Sequence, residues 1–294
     1  MNRFLEKGQI RKAVELPAKS PRAPFFDSSE PRLGVLNAGA GKNRFRLLRY
    51  DPAPELAGFV RHYWTVEWEL DAAESYQQEV VPNPCANLVI EHGRTSCYMP
   101  STSRFSHLLQ GKGSVFGVKF LPGGFYPFYR ESLSELIGNS LPVDRVLRSN
   151  AVALEQALDT TNDVGLCELM DMLLLEAKPQ MDHETKLLSE IFKAIAGRQD
   201  LTKVDELCKL FGIEKRNLQR LFSRRVGLTP KWVIRLHRLQ EAAEALDRGK
   251  EQGTRTKLLH LSQELGYHDQ AHFIKDFKAV IGVTPEAYVL GTRS

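Results

Sequence analysis

The sequence predicts an α+β chain: a β-rich N-terminal domain followed by an all-α domain built on two tandem helix-turn-helix units. Three observations predict it. Residues 44–120 fall into short runs, one of them strictly alternating, broken by Pro, Gly and Asn, whereas residues 141–294 repeat their apolar positions at helical spacing. The helical region also writes a single pattern twice, first as Leu207, Cys208, Gly212, Ile213, Leu218, Phe222, Gly227, Leu228, Thr229, Pro230. It returns as Leu261, Ser262, Gly266, Tyr267, Phe273, Phe277, Gly282, Val283, Thr284, Pro285. In each copy a small residue four positions before a Gly lets two helices cross closely, and the Gly allows the short turn between them. Finally, 294 residues with 42% hydrophobic and 26% charged side chains suffice for two separate cores.

Residues 1–31 contain Pro17, Pro21, Pro24 and Pro31 with mixed charge and no sustained period, which reads as a mobile tail with at most a short helix near Phe4 to Val14. Residues 32–180 form the expected β-rich domain. Arg44 to Tyr50 alternates weakly, and Pro52 to Phe59 suggests a turn into a short helix. Tyr63 to Leu70 places Trp64, Val66, Trp68 and Leu70 on one face and Thr65, Glu67 and Glu69 on the other, the mark of a half-buried strand. Further strands are expected at Gln78 to Val81, Asn87 to Glu91, Thr95 to Met99, Arg104 to Leu109 and Ser114 to Phe120, giving an antiparallel sheet or small barrel. Gly111-Lys112-Gly113 reads as a hairpin turn. Aromatic residues are dense here, and Trp64, Trp68, Phe116, Phe120 and Phe125 are the candidates to line a small-molecule pocket, with a core and its rim as the alternative. Leu154 to Leu158 and then Leu166, Leu169, Met170, Leu173 and Leu174 predict helices, with Asn162 or Asp163 as an N-cap. Lys178 to Asp182, with Pro179, is the expected linker.

Residues 183–294 form the second domain. Glu184 to Ala196 carries one apolar face and stops at Gly197. Thr202, with Asp205, is expected to cap the helix Lys203 to Phe211, and Glu214 to Val226 is the second helix of the first unit. Thr229 and Pro230 open a long connecting helix whose stripe Val233, Leu236, Leu239, Ala243, Leu246 runs to about Asp247. Gly249 to Lys257 reads as a polar, mobile loop whose Lys250, Arg255 and Lys257 could reach phosphates. Asp269 caps the helix that continues to Val280. The net charge of +4 hides an asymmetry: residues 201–294 hold 17 Lys/Arg against 11 Asp/Glu, so residues 1–200 are net acidic. Lys215 to Arg238 carries eight basic residues and no acidic one, as expected of a surface facing a polyanion.

The stretches Leu218-Gln219-Arg220-Leu221-Phe222, Gly266 to Phe273 and Gly282-Val283-Thr284-Pro285 resemble the double helix-turn-helix domain of AraC/XylS-type transcription regulators over about the last 110 residues. Tyr63-Trp64 and Phe120 to Phe125 resemble, more loosely, the N-terminal domain of an AraC-like subgroup. The resemblance implies sequence-specific binding of double-stranded DNA, RNA polymerase as a partner, and dimer contacts from the helices of residues 141–179, for which packing beneath the β-domain is the alternative. It also implies an N-terminal module that senses a small-molecule effector or supports a homodimer. On the first unit, Lys215, Arg216, Gln219 and Arg220 face outward and suit a major groove, where Arg pairs with guanine and Gln with adenine. Arg224 joins them. Glu214 stands where Ser or Thr is more usual. On the second unit Gln270, Ala271, Ile274 and Lys275 occupy the groove-facing positions, with His272 and Lys278 placed for phosphates. Arg235 and Arg238 on the long helix are phosphate candidates or solubilising charges.

No apolar run approaches the length of a membrane helix and the N-terminus lacks a signal-peptide core, so a cytoplasmic protein with no membrane association is expected. Cys85, Cys97, Cys167 and Cys208 make no C-x-x-C pair, and His62, His92 and His107 are scattered, so neither a metal nor a cofactor is expected. No catalytic motif is found, and a non-enzymatic protein is expected. Two alternatives stand beside the effector-controlled regulator: an enzyme or small-molecule-binding protein whose main activity is N-terminal, and a constitutive DNA binder with an N-terminal dimerisation module.

Overall fold

The computed structural model describes residues 22–25, 44–71, 73–198, 200–252 and 258–290. The helix expected near Phe4 to Val14 lies outside them. Arg22 to Phe25 do not behave as a free tail: the Arg22 guanidinium binds Asp171 at 2.5 Å and Phe25 bridges to Arg49.

The strands are β1 (Phe45–Tyr50), β2 (Val60–Glu69), β3 (Ser75–Val80), β4 (Asn87–Ile90), β5 (Ser96–Tyr98), β6 (Phe105–Gln110), β7 (Lys112–Phe120) and β8 (Ser140–Leu141). Six of them form one antiparallel sheet in the order β1-β2-β7-β4-β5-β8, and β3 pairs with β6 in a second. The turn into β7 is made at Gly111, while Gly113 lies inside the strand. A one-turn helix, α1 (Tyr126–Tyr129), precedes α2 (Ala151–Thr160) and α3 (Asp163–Glu176). Asn150 and Asn162 cap these two helices.

Alternation along the strands gives the larger sheet two unlike faces. One face carries Tyr63, Phe116, Val118 and Phe120, which share a core with Leu154, Leu166, Met170 and Leu174 of α2 and α3. Of the two roles expected for the helices, they pack on the sheet. Asp171 of α3 is buried there and accepts hydrogen bonds from the Tyr63 hydroxyl and the Ala53 amide, both at 2.8 Å. Phe116 and Phe120 are fully buried on this side and Phe125 is 1% exposed beside them. This corrects the expectation that these three line a pocket: the side chains of β7 that face the other way are Val115 and Lys119.

The helical region comprises α4 (His183–Gly197), α5 (Val204–Phe211), α6 (Lys215–Arg225), α7 (Pro230–Glu251), α8 (Leu258–Glu264), α9 (Gln270–Ile281) and α10 (Pro285–Leu290). Gly212 (φ 62°) ends α5 and Gly266 (φ 71°) follows α8, the left-handed positions that the two short turns need. Thr229 caps α7 and Asp269 caps α9 through their side chains. The start of α5 differs from the Thr202–Asp205 box expected: Glu206 reaches back and accepts from the Thr202 and Lys203 amides at 2.7 and 2.8 Å. The long helix runs on to Glu251, past Asp247, with Gly249 buried inside it; residues 253–257 of the expected loop lie outside the described residues. This helix feeds two cores. Val233 and Ile234 join Leu188, Ile191, Leu207, Leu218 and Phe222, while Leu236 to Leu246 join Leu261, Phe273, Phe277 and Val280.

Candidate nucleic-acid interface

Burying Leu218, Leu221 and Phe222 turns the opposite side of α6 to solvent, and Lys215, Arg216, Asn217, Gln219 and Arg220 are all exposed there. Arg220 donates to the Asn217 side chain at 2.9 Å, which orders its fork on the helix surface. Asn217 was missed in the sequence, although its spacing of three from Arg220 was legible. Lys215 pairs with Asp205 at 2.9 Å across the turn, and this pairing raises the Lys215 pKa. Glu214 is the N-cap but makes no side-chain capping bond, so the first amides of α6 stay open to an outside acceptor.

On α9, Ala271, His272, Lys275 and Lys278 are exposed, whereas Gln270 and Ile274 are half-buried, Ile274 packing on the second core. This face presents two lysines against the first unit's Lys215, Arg216 and Arg220.

Several of the basic residues between Lys215 and Arg238 do other work. Arg225 is 5% exposed: it donates to Asp182 at 2.7 and 2.9 Å and to Thr185, and lies 4.2 Å from the Tyr126 ring centroid. Burial pushes the Asp182 pKa up, but the bonds from Arg225 and Thr185 outweigh it and hold the group down at about 2. Arg224 remains exposed but is engaged by Glu184 and sits over Tyr126. On α7, Arg235 faces Asp276 at 3.6 Å and Arg238 lies 4.5 Å over Tyr267, its pKa lowered by burial. Both therefore tie the connecting helix to the second unit.

The β-rich domain touches both units. Ile137 sits where a side chain at Gly227 would go, and the Leu133 amide donates to the Arg224 carbonyl at 2.9 Å. Val81, at 3% exposure, is built into the second unit's core beside Leu236, and Arg104 lies against Gly282. A cleft of ≈650 Å³ between the domains is lined by Val81, Cys85 and Lys119 on one side and Phe192, His237 and Glu241 on the other.

A second cavity, of ≈620 Å³, lies between the uncovered face of the six-stranded sheet and the β3–β6 pair. Trp64 and Trp68, two of the five candidates, line it. They stand opposite Gly117 and Gly113 on β7, where any Cβ would collide with the indole rings, so the rings lie across bare backbone. Among the described residues no group of three or more His, Cys, Asp or Glu is placed to hold a metal ion, and no helix is long and apolar enough to cross a membrane.

Two family models match the chain: "Domain of unknown function (DUF6597)" over residues 48–142 and "Helix-turn-helix domain" over residues 207–290. The chain is 31% identical over 108 residues to the HTH-type transcriptional activator AarP of Providencia stuartii, which covers 36% of this chain and 76% of that protein. An uncharacterized HTH-type transcriptional regulator of Haemophilus influenzae is 29% identical over 85 residues, 29% of this chain and 27% of the other. Among solved structures, a probable AraC family transcriptional regulator from Rhodopseudomonas palustris is 24% identical, covering 35% of this chain and 94% of that one with a TM-score of 0.31.

Proposed function

The chain belongs to the AraC-type helix-turn-helix transcription regulators, and from that premise we propose that α6 and α9 read two unlike half-sites on double-stranded DNA under the control of a small effector held in the β-domain. The exposed row Arg216, Gln219 and Arg220 on α6 carries the reading of the first half-site. Its side chains match the bidentate partners of guanine and adenine, each good pair contributing roughly 1–3 kcal/mol of discrimination. Ala271 and Lys275 on α9, with the half-buried Gln270 and Ile274, present different chemistry, so the bound site is asymmetric. His272, Lys278, Lys215 and Arg224 serve backbone phosphates, Arg224 once it leaves Glu184.

Effector control is supported by the segment from Val80 to Cys85. Val81, Pro82, Asn83 and Cys85 wall both the sheet cavity and the interdomain cleft, and Val81 continues into the second unit's core. A ligand that binds the two arrangements of this wall unequally shifts the setting of α7 and hence DNA affinity. This reading makes the protein a regulator rather than an enzyme, acting in the cytoplasm beside RNA polymerase, with a homodimer as its further partner. Binding-site selection with the full chain tests it. The expected consensus has two unrelated clusters about one helical turn, roughly ten base pairs, apart. A strictly palindromic consensus obtained only from dimers would overturn the two-unit reading.

A further inference from the structure

The outward row of α6 is not uniformly held. Arg216, Gln219 and Arg220 are all exposed, but among the described residues only the Arg220 side chain is tied to a neighbour, its Nη2 donating to Asn217 Oδ1 at 2.9 Å. The two residues lie three positions apart on one side of the helix, so their side chains meet without bending the backbone. A guanidinium carries donors only, which fixes the amide: the Asn217 oxygen turns to Arg220 and the amide nitrogen turns away. Each terminal nitrogen of Arg220 bears two hydrogens, so one bond to Asn217 still leaves a pair of donors for O6 and N7 of a guanine. The partner is also neutral. Lys215 and Arg224 are held by the carboxylates of Asp205 and Glu184, which offset their charge, whereas Asn217 restrains Arg220 and leaves its charge whole.

The second unit is built differently at the same place. Leu218 and Phe273 begin the buried stripes of α6 and α9, so Asn217 and Arg220 correspond to His272 and Lys275. His272 leans the other way: its Nε2 lies 3.7 Å from Asp276, and its ring meets Tyr267 edge to face at 5.4 Å. Lys275 in turn offers a compact ammonium on a flexible stem and not a planar fork. We propose that Asn217 is a positioning residue for base recognition: it holds the Arg220 fork for guanine and so makes the first half-site the more sharply read, without reading a base itself. This rests on the reading of α6 as a helix that enters the groove. A free arginine facing the wrong base swings to another acceptor or a phosphate and recovers part of the loss. A held one cannot follow, so the mismatch goes uncompensated.

A double-substitution cycle on the full chain tests the proposal, read by fluorescence anisotropy with the duplex that the chain selects and with single-base-pair variants of it. Arg220→Ala first locates the base pairs that the arginine reads. At those pairs Asn217→Ala should reduce discrimination by about threefold to tenfold, the effect of leaving one long side chain to be ordered on binding. The salt slope and the discrimination at the other cluster should stay as they were, because the cation is still present. In the Arg220→Ala background the same substitution should change discrimination by less than about twofold. Asn217→Gln, which keeps an amide oxygen within reach, should restore most of what Asn217→Ala loses. Alanine favours a helix more than asparagine does, so unfolding of α6 does not imitate the result, and urea unfolding of each variant checks this. Unchanged discrimination in Asn217→Ala, an equal loss with and without Arg220, or a loss spread over both clusters would each overturn the proposal; the equal loss would make Asn217 a base reader in its own right. If Arg220→Ala leaves base preference intact, the reading of α6 falls and this proposal with it. An active Arg220 beside an inert Asn217 refutes the positioning role alone.

Discussion

The two helix-turn-helix units share a backbone pattern and differ in what fixes them. The first is anchored to the rest of the chain by charge: Arg225 and Arg224, at the end of its outer helix, are gripped by Asp182, Glu184 and the Tyr126 ring. The second is anchored by apolar contact, with Val81 inside a core in which Tyr267, Phe273, Phe277 and Tyr288 meet edge to face at 5.4–5.8 Å. Arg235 and Arg238 of the connecting helix also turn inward to Asp276 and Tyr267. A basic run is thus a poor map of a DNA-facing surface. Some of it holds the regulator together, and the outward row on α6 is what remains for the polyanion.

If charge anchors the first unit, Arg225→Met should have the largest effect. Breaking a buried ion pair costs about 3–5 kcal/mol, and because the Asp182 side chain is 45% exposed the lower end, about 3 kcal/mol, is expected in urea unfolding. The pH dependence carries a sign. Asp182 ionises in the folded protein at about 2, below its ordinary 3.8, so its contribution is complete above 3.8 and is lost as pH falls through about 2. Screening at that exposure reduces this contribution to about 1 kcal/mol. Arg225→Met should flatten stability between pH 4 and 2, and hydrogen exchange should rise on α6 before α9. A simultaneous loss on both helices would mean that the units are not separately anchored.

The next contrast concerns base reading. Arg220→Ala is expected to lose about 1–3 kcal/mol of discrimination at one cluster of bases, and Lys275→Ala to act at a different cluster. Removing Lys215 and Arg224, the first unit's phosphate contacts, should reduce the log-log salt slope by up to about 0.9 for each phosphate no longer neutralised, more than removing Lys278 of the second unit. Binding measured over a salt series with the selected site compares them, and equal slopes would erase the distinction drawn between the two outer faces.

Much of this architecture was legible because it is local. The duplicated Gly, Phe and Thr-Pro positions set helix ends and apolar faces within a few turns, and alternation at Trp64, Val66 and Trp68 identified a strand with one face for a cavity. What failed depends on partners distant in sequence. Phe116 and Phe120 looked like pocket residues until α3, some fifty residues later, covered their face. Arg225 belongs to the basic run expected to face a polyanion, and its partner Asp182, which takes it out of that surface, lies 43 residues earlier. The meaning of Gly113 and Gly117 appears only when β2 sets the indoles opposite them.

Val81→Ala is the apolar counterpart of the Arg225 test. Deleting two methyl groups from a fully packed site should cost about 1–2 kcal/mol, with the loss of protection confined to α9 and α7. If the cavity wall governs the second unit, the same substitution should also weaken any effect of a bound ligand on DNA affinity while leaving ligand affinity within a few-fold. An unchanged ligand response would show that the signal leaves the β-domain elsewhere, for instance through Ile137 and Gly227.

The smallest effect expected comes from the caps, where the units also differ. Asp269 accepts from the His272 amide at 2.7 Å, so α9 begins with its cap made, whereas Glu214 begins α6 with none. Glu214→Ser should supply the missing bond, typically worth about 1 kcal/mol, but it also removes a carboxylate that the helix dipole favours by roughly 0.3–1 kcal/mol. The net gain in stability is therefore small, below about 0.7 kcal/mol. DNA affinity is the more sensitive readout, since a phosphate approaching the start of α6 no longer meets a negative charge: a gain of about threefold at low salt, shrinking as salt is added, is expected. Asp269→Ser, which exchanges one capping residue for another, should raise DNA affinity by its charge alone and cost α9 only the roughly 0.3–1 kcal/mol of the lost carboxylate–dipole interaction. If Glu214→Ser leaves affinity unchanged at low salt, the first turn of α6 does not lie against the phosphate backbone, and the first unit must enter the groove by a later segment of the helix.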